Sequence, residues 1–163
     1  MIKKTKSLFA VVLLALVGLS FSGCGDTIEE YYEDGAMVKS YYFDVVENPN
    51  ASNTWIWNND IGRWECTFNF NDVTQYIYET GVIHASVFVY ENGKDESMKS
   101  LPYVRTYEDL DTGTFFEETI SYDIISRNGT PPYKIRFSIQ TSNGKDYEDF
   151  LQDYQFKVNL IWY

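Results

Sequence analysis

The sequence predicts an all-β fold: an immunoglobulin-like antiparallel β-sandwich with one short helix, preceded by a signal peptide and a tether. Apolar and polar residues alternate with a period of two in six segments, as they do when one face of a sheet is buried. Turn signals separate the segments, and aromatic residues make up 18% of the chain, enough to fill a core. Several short strands separated by turns favour a sandwich, and a barrel is the alternative.

The alternation predicts which side chains face the core. The clearest segment places four apolar residues on one face, against Lys134, Arg136, Ser138 and Gln140 on the other. The predicted inward residues are Tyr41, Phe43 and Val45; Trp64, Cys66, Phe68 and Phe70; Ile83, Ala85, Val87 and Val89; Ile120, Tyr122 and Ile124; Tyr133, Ile135, Phe137 and Ile139; Tyr154, Phe156, Val158, Leu160 and Trp162.

Turns and one helix complete the predicted elements. Asn92-Gly93, Asn128-Gly129 and Asn143-Gly144 are typical of tight turns that need a positive φ. The segment from Asn71 to Gly81 predicts a short helix, with Asn71 as its N-cap and Gly81 as its stop. A further helical turn is expected within residues 146–153.

The N-terminal segment has the layout of an export signal. Three lysines precede an apolar run of twelve residues, Leu8–Leu19, which is too short to span a bilayer as a helix. The run leads into LSFSGC, which resembles the lipobox of bacterial lipoproteins, although Phe21 stands where leucine is commonest. The alternative is an ordinary secretory signal. The resemblance implies that residues 1–23 are removed and that Cys24 carries the lipid.

Three parts of the chain follow from this signal. Residues 1–23 form the signal peptide, residues 24–36 a lipidated acidic tether, and residues 37–163 the β-sandwich domain. Removing the leader takes away three lysines and no acid, so the mature chain is more acidic than the formal −11 of the whole sequence. Such a chain repels nucleic acid and anionic lipid surfaces, so the lipid on Cys24 is the expected membrane contact.

The sequence predicts a non-catalytic protein without a cofactor or a metal. His84 is the only histidine and lies mid-strand without a nucleophile motif, so neither a catalytic triad nor a usual zinc site is expected. Cys66 is expected to be a buried, unreactive thiol. Glu117 and Glu118 are adjacent in a predicted strand and therefore point to opposite faces, so they cannot pair as glycosidase carboxylates.

Two tryptophans are the candidate ligand-binding residues. Trp55 and Trp57 occupy alternate positions in NTWIWNND, so they would share one face of a strand beside Asn and Asp side chains. If exposed, they could stack against sugar rings. The alternative is that both fill the sandwich core.

The chain resembles small lipoproteins of unassigned function from Bacteroides-type bacteria. The resemblance rests on the signal, on WIWNNDIGRWECTFNF leading into QYIYETGVI, and on the closing YQFKVNLIWY. It implies an envelope-anchored β-sandwich and brings no catalytic residue. Acidic residues after Cys24 fit export to the outer face of the outer membrane, and Asp26-Thr27-Ile28 resembles the O-glycosylation site of these bacteria, with Thr27 as the acceptor.

These observations predict a lipid-anchored protein of the outer membrane, periplasmic or surface-exposed. Its function is expected to be that of a non-catalytic binding or structural module for a glycan or an envelope protein. A glycan hydrolase is one alternative. An accessory subunit of an outer-membrane complex is another, and an unpaired apolar edge strand at the closing YQFKVNLIWY would favour it.

Overall fold

The computed structural model describes residues 29–33, 35–91, 95–110, 112–148 and 151–163. Ten strands and one helix lie in these ranges. In chain order they are β1 (Glu29–Glu33), β2 (Ala36–Val45), β3 (Ile56–Asn58), β4 (Arg63–Asn69), α1 (Gln75–Thr80), β5 (Val82–Glu91), β6 (Asp95–Ser100), β7 (Tyr103–Asp109), β8 (Thr114–Arg127), β9 (Thr130–Thr141) and β10 (Tyr154–Trp162).

The strands form two five-stranded antiparallel sheets. The first sheet has the order β1-β2-β10-β5-β6, and the second has the order β3-β4-β9-β8-β7. The connection from β9 to β10 passes from the second sheet to the first, as does the link from β4 through α1 to β5. The predicted all-β sandwich with one short helix is confirmed, while the immunoglobulin-like subtype stays a prediction.

A single aromatic core holds the sheets together. Phe137 of β9 and Phe156 of β10 stack with their ring centroids 4.0 Å apart. Phe43 of β2, which belongs to the same sheet as β10, also packs against Phe137. The predicted inward residues are buried or pack against this core. A period of two therefore identified the core correctly, because only one face of each central strand is covered.

Two predicted turns lie within the described residues. Asn128 and Gly129 have φ angles of 59° and 73° and connect Arg127 to its partner Thr130. Both central residues therefore lie in the left-handed region, which an Asn-Gly pair tolerates and a tight hairpin requires. Gly144 also has a positive φ, of 70°, but it begins the long connection from β9 to β10. The predicted Asn92-Gly93 turn lies outside the described residues.

The helix is shorter than predicted and has a different N-cap. Thr74, not Asn71, caps α1, because its side-chain oxygen accepts a hydrogen bond from the Ile77 N–H at 3.2 Å. Gly81 ends the helix as predicted, and the reason is space. A Cβ at Gly81 would lie 2.7 Å from the Ile77 carbonyl oxygen and 2.9 Å from that of Ile161.

The second predicted helical turn forms as a single 3₁₀ turn that begins at Glu148. Between Asp146 and Asp153, one turn forms where the Leu151 N–H donates to the Glu148 carbonyl at 3.1 Å. Residues 149 and 150 lie outside the described residues.

The two ends of the first sheet alter the predicted organisation. β1 pairs with β2 from Glu29 to Glu33, so sheet structure begins inside the segment predicted as a tether. β10 is hydrogen-bonded to β2 on one side and to β5 on the other, so the closing strand is not an edge strand. The feature that would have favoured an accessory subunit is therefore not present. Cys24 and Thr27 lie outside the described residues, within which no helix is long and apolar enough to cross a membrane.

Candidate functional site: grooves around Trp57

The two candidate tryptophans have different environments. Trp55 is only 5% exposed, and its ring packs edge-on against Tyr154 and Phe156 at 6.2 and 6.3 Å between centroids. Its indole N–H donates to the Gln152 carbonyl at 3.3 Å, and only its edge reaches a shallow depression of about 370 Å³. Trp55 is therefore a core residue, and the expectation that it presents a face to a glycan is corrected.

Trp57 is half-buried beside the loop that follows β9. Its ring leans on Trp64, its partner across the β3–β4 pair, at a centroid distance of 5.3 Å. Trp64 is held in turn by an indole hydrogen bond of 2.8 Å to the Asp146 carbonyl. β3 is a three-residue edge strand of the second sheet among the described residues, and the Trp57 side chain is partly exposed to solvent. The indole N–H of Trp57 donates to Asn59 Oδ1 at 3.0 Å.

Two open grooves meet at Trp57. The first has a volume of about 480 Å³, and the second has a volume of about 610 Å³. Both volumes lie in the range of small-molecule sites. The first groove is lined by Ser52, Thr54, Ile56, Trp57, Asn58, Asn59, Asp60, Glu65, Cys66 and Thr67, and the second by Trp57, Gly144, Lys145, Asp146, Tyr147 and Glu148.

The β3–β4 turn gives the first groove a rim of amides and carboxylates. Asn58 Oδ1 accepts the Asp60 N–H at 3.1 Å, and the Asn58 carbonyl accepts the Gly62 N–H at 2.9 Å. Gly62 closes this turn with a φ of 61°, which glycine adopts without steric cost. Thr54 also lines the groove, and its enclosed hydroxyl finds no hydrogen-bond partner among the described residues.

Glu65 is held in a charge network on the outer face of the second sheet. Its Oε1 lies 2.6 Å from Arg63 Nε and 3.2 Å from Arg136, while its Oε2 accepts from Asn58 at 3.2 Å. Both arginines also contact Asp123. Because both carboxylate oxygens of Glu65 already have donors, this residue shapes the groove more than it offers a free oxygen to a ligand.

The wall of the second groove is clamped in place by Asp109. This carboxylate is 8% exposed and accepts from the Tyr147 hydroxyl at 3.2 Å and from Lys145 Nζ at 3.3 Å. Hydrogen bonding to Asp109 raises the pKa of Lys145. The Tyr147 ring also stacks on Phe116, with centroids 4.2 Å apart and planes 7° from parallel. These contacts fix a loop that would otherwise be a mobile connection between the sheets.

A buried ion pair lies near this clamp, between the sheets. Arg105 of β7 donates to Glu118 Oε1 from Nε at 3.1 Å and from NH2 at 2.5 Å, and it also donates to the Tyr154 hydroxyl. Burial raises the pKa of Tyr154 above its usual range. Glu118 is 3% exposed whereas Glu117 is exposed, so the two adjacent carboxylates do point to opposite faces, as predicted.

The other singled-out residues do not form a catalytic set. His84 is half-buried on β5, opposite Asn159 of β10, and lines neither groove. Cys66 is a buried free thiol, and burial raises its pKa to about 11, which keeps it protonated and unreactive at neutral pH. In the part of the chain that the structure describes, no group of three or more histidine, cysteine or acidic side chains could hold a metal ion.

Sequence patterns identified only part of this site. NTWIWNND drew attention to Trp57 and its Asn and Asp neighbours, but Asp109, Lys145 and Tyr147 were not predicted as site residues. They come from different segments that meet only in the folded chain. Comparison with family models, curated proteins and solved structures finds no match to this chain.

Proposed function

We propose that this protein is a lipid-anchored lipoprotein of the cell envelope whose sandwich is a non-catalytic glycan-binding module. The observation that carries the binding proposal is the position of Trp57, a half-buried ring at which two polar grooves meet. A sugar ring has an apolar face of C–H groups and a rim of hydroxyls. An indole face packs against the C–H groups, and the surrounding amide and carboxylate groups form hydrogen bonds with the hydroxyls.

The grooves are organised before a ligand arrives. Trp57 is braced by Trp64 and Asn59, and the opposite wall is braced by the Asp109 contacts to Lys145 and Tyr147. Fixing side chains in advance lowers the entropy lost on binding, so a shallow site can still be selective. This arrangement supports a binding role for the site.

The anchor part of the proposal rests on Cys24 and the segment before it. Mass spectrometry of the protein from a bacterial envelope is expected to find Cys24 as the first residue, with acyl chains attached. A Cys24→Ser variant is the matched control and is expected to keep its leader or to be released from the membrane fraction. An unmodified N-terminus at another residue in the wild type would refute the anchor.

The binding part is tested with a glycan array and the purified full chain in detergent. We expect Trp57→Ala to abolish the wild-type signal and Trp57→Phe to retain part of it, because phenylalanine keeps an aromatic face. Tyr90→Ala is the matched control, since Tyr90 is an aromatic residue that is 67% exposed on β5 and lines neither groove. Binding that survives Trp57→Ala in a folded variant would refute this site.

One observation favours a glycan hydrolase as the second candidate. Asp60 and Glu65 both line the first groove, and glycoside hydrolysis uses two carboxyl groups across a cleft. The donors already bound to both oxygens of Glu65 weigh against it as a proton donor. Release of reducing ends from a bound glycan, lost in Asp60→Asn, would establish the hydrolase; binding without any product would refute it.

A further inference from the structure

We infer that the ligand is an extended glycan of at least two sugar units, uncharged or amine-bearing, and that anionic glycans are rejected. This inference rests on the proposed function and specifies the ligand class of the same site. It follows from two separate features of the grooves: the Trp57 ring that belongs to both linings and the sign of the charges that line them.

The arrangement of the grooves sets the length. Trp57 is the residue common to both linings, so a chain occupying both grooves must pass its ring. One sugar unit stacked on the Trp57 ring occupies only the part of each groove next to that ring. A neighbouring unit on one side meets Asn58 and Asn59, and one on the other side meets Asp146 and Glu148. Contacts on both sides reward a linear oligosaccharide over a single sugar.

The charges in the grooves set the class of sugar. Among the described lining residues, the first groove carries Asp60 and Glu65, and the second carries Asp146 and Glu148. The one lining cation is Lys145, and its ammonium lies 3.3 Å from Asp109 and 5.6 Å from the centre of the Tyr147 ring. Glu65 is likewise matched by Arg63 and Arg136.

Among the described residues that line the grooves, the charge without an ion-pair partner is therefore negative and comes from Asp60, Asp146 and Glu148. A uronate or sulfate group held within about 4 Å of one such carboxylate loses affinity by about fivefold or more, even at the dielectric constant of water. A protonated amino group gains by a similar factor. Because these carboxylates are near the surface, added salt weakens both effects.

The test is a printed array of neutral, amine-bearing and uronate glycans, from single sugars to hexasaccharides, probed with the full chain in detergent. We expect binding to oligosaccharides of the first two groups, weak binding to single sugars, and binding to uronates that is weaker by about fivefold or more. Dissociation constants for the brightest neutral oligosaccharide and its uronate counterpart then give the discrimination factor at low and at physiological salt.

A charge-neutralised variant separates electrostatics from shape. Asp146→Asn with Glu148→Gln is expected to reduce discrimination against the uronate, measured as the ratio of the two dissociation constants, by about fivefold or more, so that any loss of hydroxyl contacts shared by the two glycans cancels. Glu108→Gln is the matched control, an exposed carboxylate on β7 outside both grooves, and is expected to change nothing.

The outcomes distinguish this inference from the function on which it rests. If no glycan binds, or binding is independent of Trp57, the proposed function fails. If binding requires Trp57 but uronates bind as well as neutral glycans, the function stands and the charge inference is refuted. If a single sugar binds as tightly as its oligosaccharides, the inference about length is refuted.

Discussion

Removing Glu118 tests how strongly the buried ion pair supports the fold. In Glu118→Leu, the Arg105 guanidinium stays between the sheets and keeps its hydrogen bond to the Tyr154 hydroxyl, but it loses both hydrogen bonds to the carboxylate. The side chains of Arg105 and Glu118 are only 18% and 4% exposed, so water cannot fully replace the lost carboxylate. An unpaired buried charge of this kind destabilises a protein by about 3–5 kcal/mol.

That loss is large relative to the stability of a domain. Single domains unfold with a free energy of about 5–15 kcal/mol, so Glu118→Leu is expected to remove about a fifth or more of the total. The double variant Arg105→Met with Glu118→Leu removes both charges and fills the space with apolar atoms. Because no charge is then stranded, we expect it to unfold within about 2 kcal/mol of the wild type.

Urea denaturation followed by tryptophan fluorescence measures these differences, since four tryptophans report on the fold. The two single variants and the double variant form a double-mutant cycle that isolates the coupling energy. A loss below about 1 kcal/mol in Glu118→Leu would refute the reasoning. So would a double variant as unstable as the singles, because apolar packing would then fail to replace the pair.

Three further predictions concern the thiol, the groove wall and the helix stop. The folded-state pKa of Cys66 is raised to about 11, so the stability that its neutral thiol contributes is complete below about pH 9 and is lost as the pH rises through 11. Relative to Cys66→Ala, the wild type should therefore lose about 2–3 kcal/mol between those pH values in urea titrations, and parallel curves would contradict this. Asp109→Asn is expected to weaken glycan binding about tenfold, with little loss of stability. The reason is that the loop carrying Tyr147 loosens, and ordering this loop on binding costs about 1 kcal/mol or more. Calorimetric titration beside the control Glu108→Gln measures the affinity, and an unchanged affinity would contradict the prediction. Gly81→Ala should lower the unfolding free energy by about 1–3 kcal/mol, since its Cβ would overlap the carbonyl oxygens of Ile77 and Ile161. Thr80→Ala is the neighbouring control. Equal melting temperatures of the two variants would contradict the prediction, because the backbone would then shift without cost.

The sequence predicted the central strands well and the edge strands poorly. β9 and β10 are covered on one face only, so apolar residues recur at every second position and the alternation is visible. β6 reads DESMKS and has little apolar content, because an edge strand buries little. β7 places Arg105 inward, where a pattern search expects an apolar residue. The inward position of Arg105 can be explained only once Glu118 is known to face it.

The helix shows the same limit at shorter range. Asn71 and Thr74 are both good N-caps by residue type, and the sequence pattern selected the earlier one. Phe70 and Val73 are buried in the core, so the chain between them is held by tertiary packing and the helix begins only after Thr74. Local propensity identified the element, and packing decided where it starts.

Trp55 and Trp57 show why a binding site cannot be read from spacing alone. Both residues have the same parity and point to the same side of one short segment, and sequence gives them equal weight. Burial separates them: Trp55 contacts Tyr154 and Phe156 of β10, whereas Trp57 packs against Trp64, donates to Asn59 and lines a groove with the loop after β9. The rings that cover Trp55 come from β10, a strand far from it in sequence. A half-buried ring that is supported on one side by Trp64 and partly open to solvent is what the proposed stacking site requires.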